Sequence, residues 1–242
     1  MTALRSLTYQ IYLYAVSAIM TLGALPLFAL PRRFTAAGIA LWSRLQLWGA
    51  WHITGVRYEI RGADRLPAGP CLIVSKHQSM WDTIFWAATV RDPAIVMKKE
   101  LTLIPLYGWY AMKARMISID RGSGPSALRK LVRQARAAIA DGRPIVIFPE
   151  GTRAAPGAVP DYKPGAAALY AQLDVPCVPV ALNSGLYWAR RALKRAPGTI
   201  VVEILDPISP GLRRRDFERA LEHAIEPATA RLIAEAEAAK RR

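Results

Sequence analysis

After residue 55 the chain alternates between two kinds of segment. Seven short runs rich in β-branched residues fall at 56–60, 71–75, 94–97, 116–119, 144–148, 176–182 and 199–205. Between several of them lie helical patterns, at 81–90, 104–113, 125–141 and 163–173. The third is the clearest: Leu128, Leu131, Val132, Ala135 and Ile139 share one face, with basic residues opposite. Strands that alternate with helices predict an α/β sandwich with a largely parallel sheet. The length, 242 residues, fits one such domain with an appendage.

Composition narrows the class. With 52% hydrophobic residues the chain is far too apolar to be disordered. Its only cysteines, Cys71 and Cys177, sit in apolar stretches. They exclude a disulfide scaffold and a Cys-rich zinc module, and read as small core residues in a reducing compartment. Thirty-three Lys and Arg face eighteen Asp and Glu, a net charge of +15. Such a balance points to nucleic acid, or to an anionic membrane surface or substrate. The excess is spread along the chain and no zinc-finger, RNP or bZIP pattern occurs, so no nucleic-acid partner is expected.

The N-terminus is different in kind. Residues 6–31 carry no charge, long enough for the roughly 20 apolar residues of a spanning helix. Tyr9, Tyr12 and Tyr14 cluster at one end, as interfacial aromatics do. A second apolar stretch, 34–54, holds Trp42, Trp48 and Trp51 with only Arg44 charged, and Pro31-Arg32-Arg33 separates the two. This predicts an N-terminal hydrophobic helical hairpin or a membrane span. Three placements compete: a single span with the active domain on the cytoplasmic face, a hairpin dipping into one leaflet, and a hairpin buried in the core. A signal peptide is set aside because the run exceeds the usual apolar region. With only one long uncharged run, a multi-span protein is excluded. Residues 1–55 therefore form membrane-associating helices and 56–242 the α/β domain. The tail after 211 reads as a peripheral amphipathic helix broken near Pro227.

Two motifs carry chemistry. The first, Lys76-His77-Gln78-Ser79-Met80-Trp81-Asp82, follows the run at 71–75. On one helix His77 and Asp82 would point about 140° apart. However, Ser79-x-x-Asp82 before an apolar run is a capping-box pattern, with Ser79 at the N-cap and Asp82 three residues in. His77 then lies in the loop before the cap, where it can fold back onto Asp82. Such a pair fixes an imidazole tautomer and supports a positive ring, as a general base requires. The second motif, Phe148-Pro149-Glu150-Gly151-Thr152-Arg153, ends the run at 144–148. Both lie just past strand ends, where sites gather in open α/β sheets.

Together, His77-x4-Asp82 and Glu150-Gly151-Thr152-Arg153 some 70 residues later resemble the glycerolipid acyltransferase family, in particular its 1-acylglycerol-3-phosphate acyltransferases. Lys98-Lys99-Glu100-Leu101, Pro105, Gly108 and Ile119-Asp120-Arg121 are similar to a second block, and Val175-Pro176-Cys177-Val178-Pro179-Val180 to a fourth. The resemblance runs in order from about 56 to 206. Two residues depart from it: Lys76 stands where many members have Asn, and Arg115 where Gly is common.

The resemblance implies transfer of a fatty acyl group from acyl-CoA or acyl-ACP (acyl carrier protein) to the free sn-2 hydroxyl of lysophosphatidic acid, giving phosphatidic acid. It assigns His77 as base and Asp82 as its orienting carboxylate. Arg121 and Arg153 become clamps for the acceptor phosphate. Lys98 or Lys99 holds phosphate or the developing oxyanion, the spacing slightly favouring Lys98. Glu150, Gly151 and Thr152 line the substrate turn, Glu150 orienting Arg153 or a glycerol hydroxyl. Tyr107, Trp109 and Met112 either border an acyl groove or pack in the core. The expected partners are a phospholipid bilayer, a lyso-phospholipid acceptor and the acyl donor.

No acyl-enzyme is required, and no G-x-S-x-G elbow is present. No cofactor or metal is expected: His52 and His223 lack ligand spacing to another His or Cys. Gly122-x-Gly124-x-x-Ala127 imitates a dinucleotide fingerprint, but a turn opening a helix with Pro125 at its first position explains it. The alternatives are an acyltransferase for another lyso-lipid, such as lyso-ornithine lipid or lysophosphatidylcholine, and a catalytically silent lipid-binding protein.

Overall fold

The structure, a computed structural model, describes residues 2–241 except 121, 123 and 191. Seven strands form one sheet: β1 (Val56–Arg61), β2 (Leu72–Ser75), β3 (Ala94–Lys98), β4 (Ile117–Ile119), β5 (Ile145–Ile147), β6 (Cys177–Leu182) and β7 (Gly198–Ile204). Their spatial order is β1-β7-β6-β2-β5-β3-β4, and every adjacent pair is parallel except β6–β7. The expected largely parallel sheet is present. The central strands β2, β5 and β6 are buried along their whole length. That is why they read as unbroken apolar runs rather than as alternating ones.

Helices cover both faces. On one side lie α1 (Thr2–Gly23), α2 (Arg32–Gly49) and α3 (Trp81–Thr89). There Ile73 and Val146 of the sheet meet Trp81, Phe85, Leu47 and Tyr9. On the other lie α5 (Gly124–Ala140), α6 (Gly165–Leu173) and α7 (Arg214–Lys240), where Leu72 and Val74 meet Leu131, Leu169 and Phe217. The short α4 (Tyr107–Lys113) sits at the sheet edge before β4.

α1 and α2 form an antiparallel pair. Tyr9 Oη donates to the Gln46 carbonyl at 3.2 Å, Tyr12 Oη to Leu45 at 2.8 Å, and Trp42 Nε1 to Ser17 Oγ at 3.0 Å. Gly49 lets Tyr12 approach, since a Cβ there would lie 2.2 Å from the ring. The pair is fastened to the α/β domain at both ends. Tyr9 meets Trp188 edge-on at 5.3 Å, with the Arg195 guanidinium over both rings. Arg32 forks onto Asp92 at 2.7 and 2.8 Å. The outer face of α1 is apolar and bare: Leu4, Leu7, Ile11, Tyr14, Ile19 and Leu22 are all exposed. Among the described residues no helix is long and apolar enough to cross a membrane.

The C-terminal segment corrects the sequence reading. α7 runs without a break through Pro227. The proline and His223, whose carbonyl it leaves without an intrahelical donor, both lie on the exposed face, so water can take that bond. Nor is the helix peripheral. Phe217, Leu221, Ile225 and Leu232 are buried, the first stacked on Tyr170 at 3.8 Å.

Candidate active site

The strand order decides where the motifs meet. β2, β5, β3 and β4 are adjacent and parallel, so their carboxyl ends share one edge. His77 follows β2, Glu150–Arg153 follow β5 and Lys98 ends β3. Arg121, two residues past the end of β4, lies outside the described residues.

The loop between β2 and α3 is organised around one carboxylate oxygen. Asp82 Oδ2 lies 2.8 Å from His77 Nδ1, and accepts the backbone N–H groups of Gln78 at 2.8 Å and Ser79 at 2.9 Å. The carboxylate thus reaches back as a capping box demands. The serine does not complete the box: Ser79 Oγ accepts from Trp81 N–H at 3.1 Å, and the N-cap is Met80, one residue later than the capping pattern predicts, although the helix begins at Trp81 as the run at 81–90 does. Asp82 is fully buried. Because Oδ2 acts as acceptor, Nδ1 of His77 is the donor, leaving Nε2 with its lone pair free. The ring also stacks on Phe148 at 4.0 Å, which fixes its plane. The His77 side chain keeps 11% of its surface open.

The turn after β5 is bonded to this loop. Ala154 N–H donates to the His77 carbonyl at 2.8 Å. Gly151 has φ +65, a left-handed conformation that glycine adopts without a steric penalty. Gln78 Oε1 accepts Gly185 N–H at 2.9 Å, joining the segment after β6 to the same loop.

The charged residues separate into two groups. Lys98 is exposed and Arg153 half-buried, and no carboxylate among the described residues pairs with either. Lys99 is committed: its Nζ lies 2.9 Å from Asp120 Oδ2, and that bond pushes the ammonium up from its ordinary range. Glu150 does not orient Arg153, as the sequence suggested. It is 4% exposed, and its Oε1 lies 3.0 Å from Lys76 Nζ. Burial pushes its carboxyl up, opposed by the Lys76 charge and, more weakly, by His77. Gly151 and Thr152 remain accessible on the turn. Tyr107, Trp109 and Met112 are about half exposed, so they are not core residues. No group of three or more His, Cys, Asp or Glu among the described residues could hold a metal ion.

Sequence reasoning missed Glu226 and Tyr162. The Glu226 carboxylate receives Lys76 Nζ at 2.7 and 2.9 Å, and the Tyr162 hydroxyl at 2.6 Å. The one signal was Lys76 itself, a lysine directly after the apolar run at 71–75.

Comparison with known proteins identifies the family. A family model described as Acyltransferase matches residues 57–183, more than half of the chain. The chain belongs to the acyltransferase family. The 1-acyl-sn-glycerol-3-phosphate acyltransferase of Pseudomonas aeruginosa is 37% identical over 163 residues, 67% of this chain and 63% of that protein. The mouse 1-acyl-sn-glycerol-3-phosphate acyltransferase alpha is 31% identical over 170 residues, 69% of this chain and 60% of that one. The chain thus spans about three fifths of the length of these curated relatives. In fold it is similar to the 1-acyl-sn-glycerophosphate acyltransferase PlsC of Thermotoga maritima, with a TM-score of 0.78, 21% identity and 98% of both chains covered. Within this acyltransferase the matched region holds both site loops, whereas the α1–α2 pair and α7, with Glu226, lie outside it.

Proposed function

We propose that this acyltransferase transfers a fatty acyl group from the thioester of acyl-CoA or acyl-ACP to the sn-2 hydroxyl of lysophosphatidic acid, giving phosphatidic acid. The observation that carries the reading is the 2.8 Å contact between His77 Nδ1 and a fully buried Asp82. An alcohol is a weak nucleophile at neutral pH and needs a placed base. Nε2 of His77 takes the hydroxyl proton as the oxygen attacks the thioester carbon. Asp82 holds the tautomer and offsets the charge of the imidazolium that forms. The tetrahedral intermediate then expels the thiolate, and the imidazolium returns the proton to sulfur. The products are an ester and a free thiol, with His77 neutral again.

Lys98 and Arg153 supply the cations for the acceptor phosphate or the oxyanion, with Arg121 of the same block a third candidate. Lys99 is the weaker choice because Asp120 already holds it.

The bare outer face of α1 supports the one-leaflet reading of the N-terminus. The inner face of α1 packs on Trp188 and Arg195, and α2 pairs with Asp92 through Arg32, so both helices stay with the α/β domain at the membrane surface. A cavity of about 570 Å³ between α2, β1 and α3, lined by Arg44, Arg57, Trp48 and Trp51, adds the cationic and aromatic character of an interfacial surface. Binding is expected to favour anionic vesicles and to weaken when Leu7 and Ile11 become Glu. Equal vesicle binding by that variant would remove this part of the proposal.

Purified protein given oleoyl-CoA, then acyl-ACP, with a panel of lyso-lipids tests the reaction. Mass spectrometry of the products should show phosphatidic acid, absent with His77→Ala. Acylation of a different lyso-lipid would move the substrate while leaving the mechanism. No product from either donor would favour a silent lipid-binding protein.

A further inference from the structure

Behind His77 lies a charged cluster that the acyl-transfer step does not use. Lys76 is 2% exposed. Its ammonium sits 3.0 Å from Glu150 Oε1, and 2.7 and 2.9 Å from the two Glu226 oxygens. Tyr162 Oη donates to Glu226 Oε1 at 2.6 Å. The four residues come from four segments: the end of β2, the turn after β5, the loop before α6, and α7.

A buried ammonium is strongly unfavourable unless paired and hydrogen-bonded. Of lysine's three donors, two go to the Glu226 oxygens, and Glu150 Oε1 lies at ion-pair distance with no hydrogen bond of its own among the described residues. Enclosed by these carboxylates and buried, Lys76 serves to hold. What it holds is specific. Lys76 is covalently next to the His77 base, with its own N–H bonded to Val180 O at 2.9 Å. Glu150 begins the turn that carries Gly151, Thr152 and Arg153. In front, that turn meets the His77 loop through the bond from Ala154 N–H to His77 O. Behind, the ion cluster ties it to Lys76 and α7, beside the bond from Lys163 N–H to Pro149 O at 2.8 Å.

We propose that Lys76 and Glu226 are positioning residues, and that through them α7 forms part of the active site. The cluster fixes the Glu150–Arg153 turn against the His77 loop, setting the distance between base and phosphate-binding cations. This rests on reading His77 as the base, so one readout below is independent of turnover.

Charge balance distinguishes positioning from bulk stability. Glu150 faces Lys76 from the end of β2, His77 from its loop, and Tyr162; Glu226 of α7 shares Lys76 with it, and Glu222, a turn earlier on that helix, faces Tyr162. Burial already pushes the Glu150 carboxyl up, and Lys76 is the main group holding it down. Lys76→Met therefore leaves two carboxylates facing each other, with Glu150 taking up a proton at higher pH than before. At high pH the ionised pair repels and the turn opens. As pH falls, protonation removes the repulsion.

The test compares wild type, Lys76→Met, Lys76→Arg, Glu226→Gln and the Lys76→Met/Glu226→Gln double variant. Hydrogen exchange is followed in peptides covering 149–154 and β1. Lys76→Met should speed exchange in 149–154 at least tenfold at pH 8 and less at pH 6.5, with β1 unchanged. The double variant, lacking the second carboxylate, should show a weaker pH dependence, the part that remains coming from the burial of Glu150. In steady-state kinetics Lys76→Met should lower kcat about 10- to 100-fold with donor KM within about threefold, and Lys76→Arg should recover most of it. Wild-type protection of 149–154 in both Lys76→Met and Glu226→Gln overturns the proposal. So does a kcat loss matched by uniform exchange throughout the chain, which is general destabilisation. Glu226→Gln keeps a carbonyl acceptor for Tyr162 and carries the test if Lys76→Met does not fold. If wild type makes no product, the acyl-transfer reading fails while the exchange result still decides the positioning role.

Discussion

Asp82→Asn isolates the charge of the carboxylate from its shape. The amide oxygen can occupy the Oδ2 position and still accept the N–H groups of Gln78 and Ser79, so the loop keeps its path. What disappears is the negative charge 2.8 Å from His77 Nδ1. Two unit charges with centres about 4 Å apart attract by about 4 kcal/mol at an effective dielectric near 20. That attraction exists only once the imidazole is positive, in and around the transition state. At about 1.4 kcal/mol per tenfold, kcat should fall about 10³-fold. The acceptor KM should change little, because the lost attraction acts on the imidazolium formed during the step. Replacing charge-assisted bonds with neutral ones should cost about 1–3 kcal/mol of stability, leaving a folded protein. Steady-state assays at saturating donor, with a thermal melt beside them, measure both quantities. A folded Asp82→Asn protein within tenfold of wild-type kcat would refute the assignment of Asp82.

Gly151→Ala places a Cβ at φ +65 and should cost about 1–2 kcal/mol, seen as a Tm lower by about 2–8 °C; an unchanged Tm would mean the turn adopts another conformation. Lys98→Gln and Arg153→Gln should each raise the KM for a phosphate-bearing acceptor about tenfold or more, while Lys99→Gln changes it less than threefold, because Asp120 already occupies that ammonium. Equal effects at 98 and 99 would contradict this ranking. Burial pushes the Cys71 thiol up to about 11 and raises that of Cys177 further. A thiol is reactive only as thiolate, present above its pKa, so at pH 8 both should resist iodoacetamide and activity should persist. Rapid labelling with loss of activity would point to a cysteine nucleophile.

How far the sequence discloses the molecule depends on the range of each interaction. Runs such as 71–75 and 144–148 are buried on both faces, so their apolar character identifies strands β2 and β5 without knowledge of neighbours. The meeting of His77 and Asp82 was legible too, because a capping carboxylate acts within four residues of the backbone it serves. Strand order was not: nothing local states that β5 inserts between β2 and β3. The partners of Glu150 were hidden for the same reason. Arg153, three residues away, is the natural guess from sequence. Lys76 and Glu226 are brought to it only by the sheet and by packing of α7. Pro227 misled by its intrinsic preference, which the buried stripe from Phe217 to Leu232 overrides. The α1–α2 pair was legible as helices, but its fastening through Tyr9, Arg195 and Asp92 was not.

The most direct measurement is product identity. Wild-type protein and His77→Ala, both verified as folded, are incubated with oleoyl-CoA and lysophosphatidic acid in anionic vesicles, and the lipids are resolved by mass spectrometry. Phosphatidic acid from wild type, with a loss of at least 10³-fold in the variant, is the expected result. Phosphatidic acid formed at comparable rates by both proteins would contradict the role of His77 as base.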